Sequence, residues 1–204
     1  MRIIALSDTH NEHHSIHVPD GDLLIHCGDA TSKGNYLESK SFLKWFTKLP
    51  HKHKVFVPGN HDLFFEKYAN QIKSALPDNV SILIEEEVEI YGLRIYGSPI
   101  TPRHGTNAFA RTRGSQMRQY WRNIPDGIDI LLTHCPPYGI LDVSQKGDIC
   151  GCEELYYKVM QVQPKLHFFG HIHHGYGSTE VNGTTFYNVA YLNGKDERVR
   201  IVDI

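Results

Sequence analysis

The residues with the clearest capacity for chemistry in this chain of 204 residues are Asp8, His10, Asp29, Asn60, His61, His134, His171 and His173. They stand at the ends of five short apolar runs of β type, over residues 2–7, 23–26, 54–57, 128–133 and 165–169. Taken singly, each has an ordinary reading. Gly28-Asp29 is turn chemistry, Asn60 is a turn residue, and a lone histidine is as a rule structural or solvent-facing. Their joint occurrence at five strand ends is hard to produce as turn chemistry. With His61 set aside, two carboxylates, one amide and four imidazoles remain. Such an N/O donor set without thiolates suits borderline divalent ions: Mn²⁺ first, with Fe²⁺, Zn²⁺ or Co²⁺ as alternatives. Seven donors exceed what one tetrahedral ion takes. They fit two ions that share a carboxylate, with Asp29 as the shared group. Two such ions roughly 3.5–4 Å apart activate a bridging water and clamp an in-line phosphoryl displacement.

The elements must bring these residues together. Asp8 and His10 are two apart, as are His171 and His173. On an extended backbone each pair would face one side. Gly28, Gly59 and Gly170 precede three of the groups and allow sharp turns or close backbone approach. Apolar periodicity predicts a helix from Tyr36 to Leu49, stopped by Pro50. A second helix is predicted over 63–76, and short strands over 80–84 and 87–91. Gly92 turns the second of these into a hairpin partner over 93–97. Residues 98–114 read as one long loop, 115–122 as a short helix, and the stretch from Pro136-Pro137 to about Gly151 as a second loop. A helix over 152–162 and C-terminal strands over 184–189 and 198–204 complete the pattern. Interleaved strands and helices predict an α/β fold, one domain over residues 1–204, with ligands bound where the loops gather at the strand ends.

Composition narrows the functional classes. Net charge is 21 − 23 = −2 with histidine neutral, so no basic field exists to hold a nucleic-acid backbone without sequence preference. The 14 histidines are not gathered at either terminus. No apolar run approaches the roughly 18 residues of a membrane span, and the N-terminus turns polar too soon for a signal peptide. A reduced cytoplasmic setting is expected for the four cysteines. Cys150 and Cys152 lack the second pair that a metal site would need and are assigned a structural or loop role.

Asp8-Thr-His10, Gly28-Asp29, Gly59-Asn-His-Asp62, His134 and Gly170-His-Ile-His173 resemble, in order and spacing, the five motifs of the calcineurin-like metallophosphoesterases. More narrowly, the stretches around Leu49 to Asp62, Thr133 to Pro137 and Pro164 to Tyr176 are similar to the metallophosphoesterase domain-containing phosphodiesterases. The resemblance implies a four-layer αββα sandwich, two mixed β-sheets with helices outside, and a dinuclear site at the strand ends. It implies one ion held by Asp8, His10, Asp29 and His173, and a second by Asp29, Asn60, His134 and His171. Some animal members carry Gly at the position of His171, so its presence here implies an intact site. His61 is implied as the catalytic residue outside both ions, contacting phosphate and protonating the leaving group. An imidazole is suited to that task. Asp62 is read either as orienting His61 and nearby backbone or as a helix N-terminal residue.

The expected activity is hydrolysis of small phosphodiesters, cyclic or nucleotide-like ones included, by a metal-bridging hydroxide. A phosphomonoesterase, a nuclease subunit and a metal-bound scaffold of low turnover are the rival readings. Candidate substrate contacts are Asn60, His61, His104, Asn107, Arg111 and Arg113. Arginine suits phosphate recognition, although Arg103, Arg111 and Arg113 also read as solvated loop charges. Phe109 reads as packing the 98–114 loop down. A monomer or homodimer is expected.

Overall fold

Alternate residues of the first strands face two different cores, and this sets the layering. The computed structural model describes residues 1–105, 107–191 and 198–204. Strands β1 (Arg2–Leu6), β2 (Leu23–His26), β3 (His53–Phe56) and β4 (Val80–Ile82) run parallel to one another. A second sheet contains β5 (Glu86–Ile90), β6 (Leu93–Ser98), β9 (Ile130–Thr133), β10 (Leu166–Phe169), β11 (Gly177–Val181) and β12 (Thr184–Asn188). Its order is β11-β12-β10-β9-β6-β5, parallel in the middle and antiparallel at both edges. Antiparallel β13 (Arg200–Asp203) closes the first sheet beside β1, in the order β13-β1-β2-β3-β4.

Ile3, Ala5, Ile25 and Val55 point between the sheets, against Ile95, Leu132 and Phe168. Their neighbours Ile4, Leu6, Leu24 and Phe56 point outward. There they meet Phe42 and Phe46 of α1 (Tyr36–Lys48) and Phe65 of α2 (Leu63–Lys73). On the far side Tyr96, Leu131, Phe169 and Phe186 pack on Met117 and Trp121 of α3 (Ser115–Trp121) and on Leu155 and Val159 of α4 (Glu153–Val162). The result is the four-layer αββα sandwich. Each such buried side chain contributes about 1.5–3 kcal/mol of transfer free energy. Beyond the sheets, Ser7 pairs with Ala190, and the Tyr191 amide donates to the Ser7 carbonyl at 2.8 Å. The exits of β1 and β12 are thereby tied together across the two sheets.

Local chemistry explains most element ends. Asn35 Oδ1 caps α1 through the Glu38 amide at 3.0 Å, and the Glu38 carboxylate returns to the amides of Ser32 and Lys33. Two sequence expectations change. Residues 98–114 are not one unstructured loop: β7 (Thr101–Pro102) and β8 (Ala110–Arg111) pair in parallel within them, and Ala108, Phe109 and Ala110 are buried. Thr106 of this segment lies outside the described residues, as do residues 192–197. The edge strand β11 was not anticipated, because Gly-Ser-Thr-Glu-Val is polar and only half-buried. Its partner β12 supplies the order that its own pattern lacks. Among the described residues no helix is long and apolar enough to cross a membrane.

Candidate metal centre

The parallel strands β1, β2, β3, β9 and β10 all deliver their C-terminal ends to one side, where the candidate residues converge. Their geometry departs from the expected one in a telling way. Asp8, His10, Asp29 and His171 have φ of 57°, 40°, 51° and 69°. Asp8 and His10 therefore do not meet by extended-strand alternation, and His171 and His173 go to different donor groups. The chain turns here through left-handed conformations that non-glycine residues rarely adopt, a form of strain that concentrates at functional sites.

Three overlapping groups of ligand atoms result, two made of the expected ligands alone and a third of His10, Asp29 and His61. Asp8, His10 and His173 each place a ligand atom within 4.8 Å of the others, and so do Asp29, His134 and His171. His10 Nε2 lies 3.3 Å from His173 Nε2, and His173 Nε2 lies 3.4 Å from Asp8 Oδ1. Asn60 Oδ1 is 2.9 Å from His134 Nε2. Asp29 stands between the first two: its Oδ2 is 3.3 Å from His134 Nε2 and 3.9 Å from His10 Nε2.

Backbone carbonyls aim the rings. Cys27 O accepts from His134 Nδ1 at 2.8 Å, Thr31 O from His10 Nδ1 at 3.3 Å, and Ser32 O from His61 Nδ1 at 2.8 Å. Each bond leaves Nε2 facing the site. No sequence signal reveals these acceptors, because every residue type carries the same carbonyl. Asn188, at the exit of β12, was missed for a different reason. It is one polar residue at a strand end, yet it is buried and donates to the carbonyls of Leu141 and Ile172 at 3.0 Å each, bracing the segment between His171 and His173.

Glycines let the loops touch. A Cβ at Gly59 would overlap Asp29, and one at Gly170 would overlap Ser7 and Asp8 Oδ2. Asp62 answers the choice left open by its position. It starts α2 without capping it, and its carboxylate accepts instead from the amides of Gly59 (2.7 Å), Thr31 (3.0 Å) and Ala30 (3.3 Å) and from Thr31 Oγ1 (2.7 Å). It thus joins the turn that carries Asn60 and His61 to the segment after Asp29. Burial, reinforced by the Asp29 charge, raises its pKa to about 6.

The electrostatics fit a cation site. Burial works to raise the Asp8 carboxyl, but the His173 hydrogen bond and the charges of His134 and His10 hold it below the usual carboxylate range. Asp29 is held low in the same way, against burial, chiefly by His134. The reciprocal pull of Asp29 and Asp8 overcomes burial at His134 and raises it to about 9, while burial takes His171 down to about 4. Asp8 Oδ1 is buried and makes no hydrogen bond of good geometry, its nearest partner being His173 Nε2 at 3.4 Å. A buried carboxylate oxygen left this way is costly unless a cation meets it, so the residues present fit divalent metal.

The outer candidates have contacts of their own. Arg111 lies 3.7 Å from Glu66 and 4.8 Å over the Tyr120 ring. Arg113 donates to the carbonyls of Gly151 and Cys150, which pins the second long loop. His104 is exposed and Asn107 half-buried. Phe109 is buried in the core under α3 and α4. Cys152 is buried and accepts from Trp121 Nε1 at 3.4 Å.

Known proteins resemble this chain. A family described as Calcineurin-like phosphoesterase matches residues 1–175. UPF0046 protein C25E10.12 of Caenorhabditis elegans is 39% identical over 96% of this chain and 76% of its own length. Metallophosphoesterase domain-containing protein 1 of Homo sapiens is 38% identical over 93% of this chain and 65% of its own, so the chain spans somewhat under two thirds of that relative. The crystal structure of phosphopantetheinyl hydrolase from Mycobacterium tuberculosis superposes with a TM-score of 0.67 at 14% identity, covering 96% of this chain and 91% of that one, a likeness of fold. Motifs, sandwich and donor groups agree with the sequence match: the chain belongs to the calcineurin-like phosphoesterase family, in the branch that contains the metallophosphoesterase domain-containing proteins.

Proposed function

We propose that the chain is a phosphodiesterase that works with two divalent metal ions, Mn²⁺ first among them, on small nucleotide-like diesters, cyclic ones included. Family membership implies metal-dependent phosphoester hydrolysis. The observation that carries the finer reading is the position of Asp29 Oδ2, which faces both donor groups at once. One ion would take Asp8, His10, His173 and Asp29, the other Asn60, His134, His171 and Asp29. Bound there, the ions supply Lewis-acid polarisation of a phosphoryl oxygen and a nucleophilic water at neutral pH.

The chain's own residues do the rest. Asp29 keeps the two donor groups together and also accepts from the His61 amide at 2.8 Å. His61 donates through Nδ1 to Ser32 O, and its Nε2 is held 4.0 Å from Asp29 Oδ2. As an imidazolium, a ring fixed in this way can donate from Nε2 to a phosphoryl oxygen and give that proton to the departing alkoxide, which leaves it neutral with its remaining N–H on Ser32 O. A diester carries one negative charge where a monoester carries up to two. The two loop arginines offered as substrate contacts, Arg111 and Arg113, are engaged by protein partners, which favours the less charged substrate. Four free cysteines support a reducing compartment.

The test compares bis-(4-nitrophenyl) phosphate, 4-nitrophenyl phosphate and a panel of cyclic nucleotides, each with Mn²⁺, Fe²⁺ and Zn²⁺. Higher kcat/KM for the diesters is expected. Faster monoester turnover would make the chain a phosphomonoesterase.

A further inference from the structure

Two histidines outside the donor groups stand in matching places in the two sheets. His26 is at the end of β2 and His167 is in β10, and both are fully buried in the outer cores. The Gly28 amide donates to His26 Nδ1 at 3.3 Å. Nε2 therefore carries the proton and donates to Thr9 Oγ1 at 3.1 Å. In the other sheet, Thr133 Oγ1 donates to Cys135 O at 2.7 Å and so accepts from His167 Nε2 at 2.9 Å. Thr9 lies between Asp8 and His10, and Thr133 directly precedes His134. His26 reaches the loop that follows the neighbouring strand β1, and His167 reaches the last residue of the neighbouring strand β9.

Aromatic rings hold each imidazole in place. His26 meets Phe42 and Phe56 at 5.0 and 5.5 Å, and His167 meets Phe169 and Phe186 at 5.0 and 5.5 Å. Core packing alone does not account for the residue type. His167 Nδ1 is buried without a partner, a penalty that leucine would avoid. What leucine lacks is the N–H aimed at the threonine.

We propose that His26 and His167 are positioning residues of the metal centre. His26 sets the loop that carries Asp8 and His10 and, through Gly28, the approach to Asp29; His167 sets His134. The proposal rests on the reading of these residues as metal ligands. Groups that orient ligands in this way typically govern metal affinity by about 10–100-fold. A merely structural histidine would instead show its loss in the stability of the metal-free protein.

Calorimetric Mn²⁺ titration of the wild type comes first, and no binding there would overturn the ligand reading itself. With binding established, His26→Leu should weaken both binding steps by about 10–100-fold, and His167→Leu chiefly one. The metal-free melting temperature should hold or rise in His167→Leu, whereas His26→Leu also strips the Gly28 amide of its acceptor and should lose some stability, so His26 is judged on Thr9→Val. His167→Gln, which keeps an N–H donor near the place of Nε2, should recover most of the affinity. Thr9→Val and Thr133→Val remove the acceptors without disturbing the aromatic packing, and they decide the matter should a leucine variant not fold. Unchanged affinity in folded variants overturns the proposal, as does a glutamine variant no better than leucine.

Discussion

Asp29 carries more of the proposed centre than any other residue, because one of its oxygens faces both donor groups. Metal analysis after Mn²⁺ loading should give about two ions per chain for the wild type. Asp29→Ala should lose both, and His173→Ala chiefly one; a full complement in Asp29→Ala would remove its shared role. His61 is separable from binding. Its Nδ1 is spent on Ser32 O, and only Nε2 is presented to the site. His61→Ala should keep metal and lose about 10²–10⁴-fold in kcat, with the larger loss on esters of poor leaving groups. Equal losses for 4-nitrophenyl and alkyl leaving groups would count against the proton-donor role.

Among the elements, the β3–α2 turn is the one that a single side chain controls. Asp62 gathers three backbone amides and a hydroxyl from two loops. Asp62→Ala would leave these donors buried without an acceptor, so a loss of about 3–5 kcal/mol is expected in urea unfolding of the metal-free protein. Asp62→Asn keeps one acceptor oxygen and should lose less. The β7–β8 segment behaves as a packed flap: the Ala108 amide donates to Asn60 O at 2.9 Å and the Phe109 amide to Glu66 Oε1 at 2.9 Å. Its arginines mainly tie loops to the body.

For the whole molecule, the buried histidines predict acid lability. Burial lowers His26 and His167 from the ordinary value of 6.5 to about 3. The unfolded chain therefore binds protons that the folded one refuses. Stability present above pH 6.5 is lost as pH falls through that value toward 3. At pH 5 the loss is about 2 kcal/mol for each residue. Asp62, raised to about 6, works in the opposite direction, gaining about 1 kcal/mol by pH 5. His134, raised to about 9, gains as well, while His171 and His13, lowered by burial to about 4, add to the loss, so the net expectation for the metal-free protein is a lower melting temperature at pH 5 than at pH 7. A flat profile between the two would show that the imidazoles gain solvent or partners on protonation.

The sequence by itself determined the alternation of strands and helices and the residues gathered at the strand ends, while the αββα class came from the resemblance of its motifs to a known family. The first two are written in side-chain type and period: Leu23-Leu-Ile-His26 reads as a strand, and Gly-Asp, Gly-Asn-His-Asp and Gly-His-Ile-His as its polar exits. Only the tertiary structure decided how the donors meet. Left-handed turns rather than strand alternation converge Asp8 with His10, and the carbonyls of Cys27, Thr31 and Ser32 choose which ring nitrogen faces the site. It also placed Arg111 beside Glu66, Arg113 on the Gly151 carbonyl, and His26 and His167 on the threonines beside the donor residues. The physical reason is common to all of these. Backbone acceptors, left-handed turns and partners across sheets arise from where chain segments meet, and neither residue type nor spacing encodes that meeting.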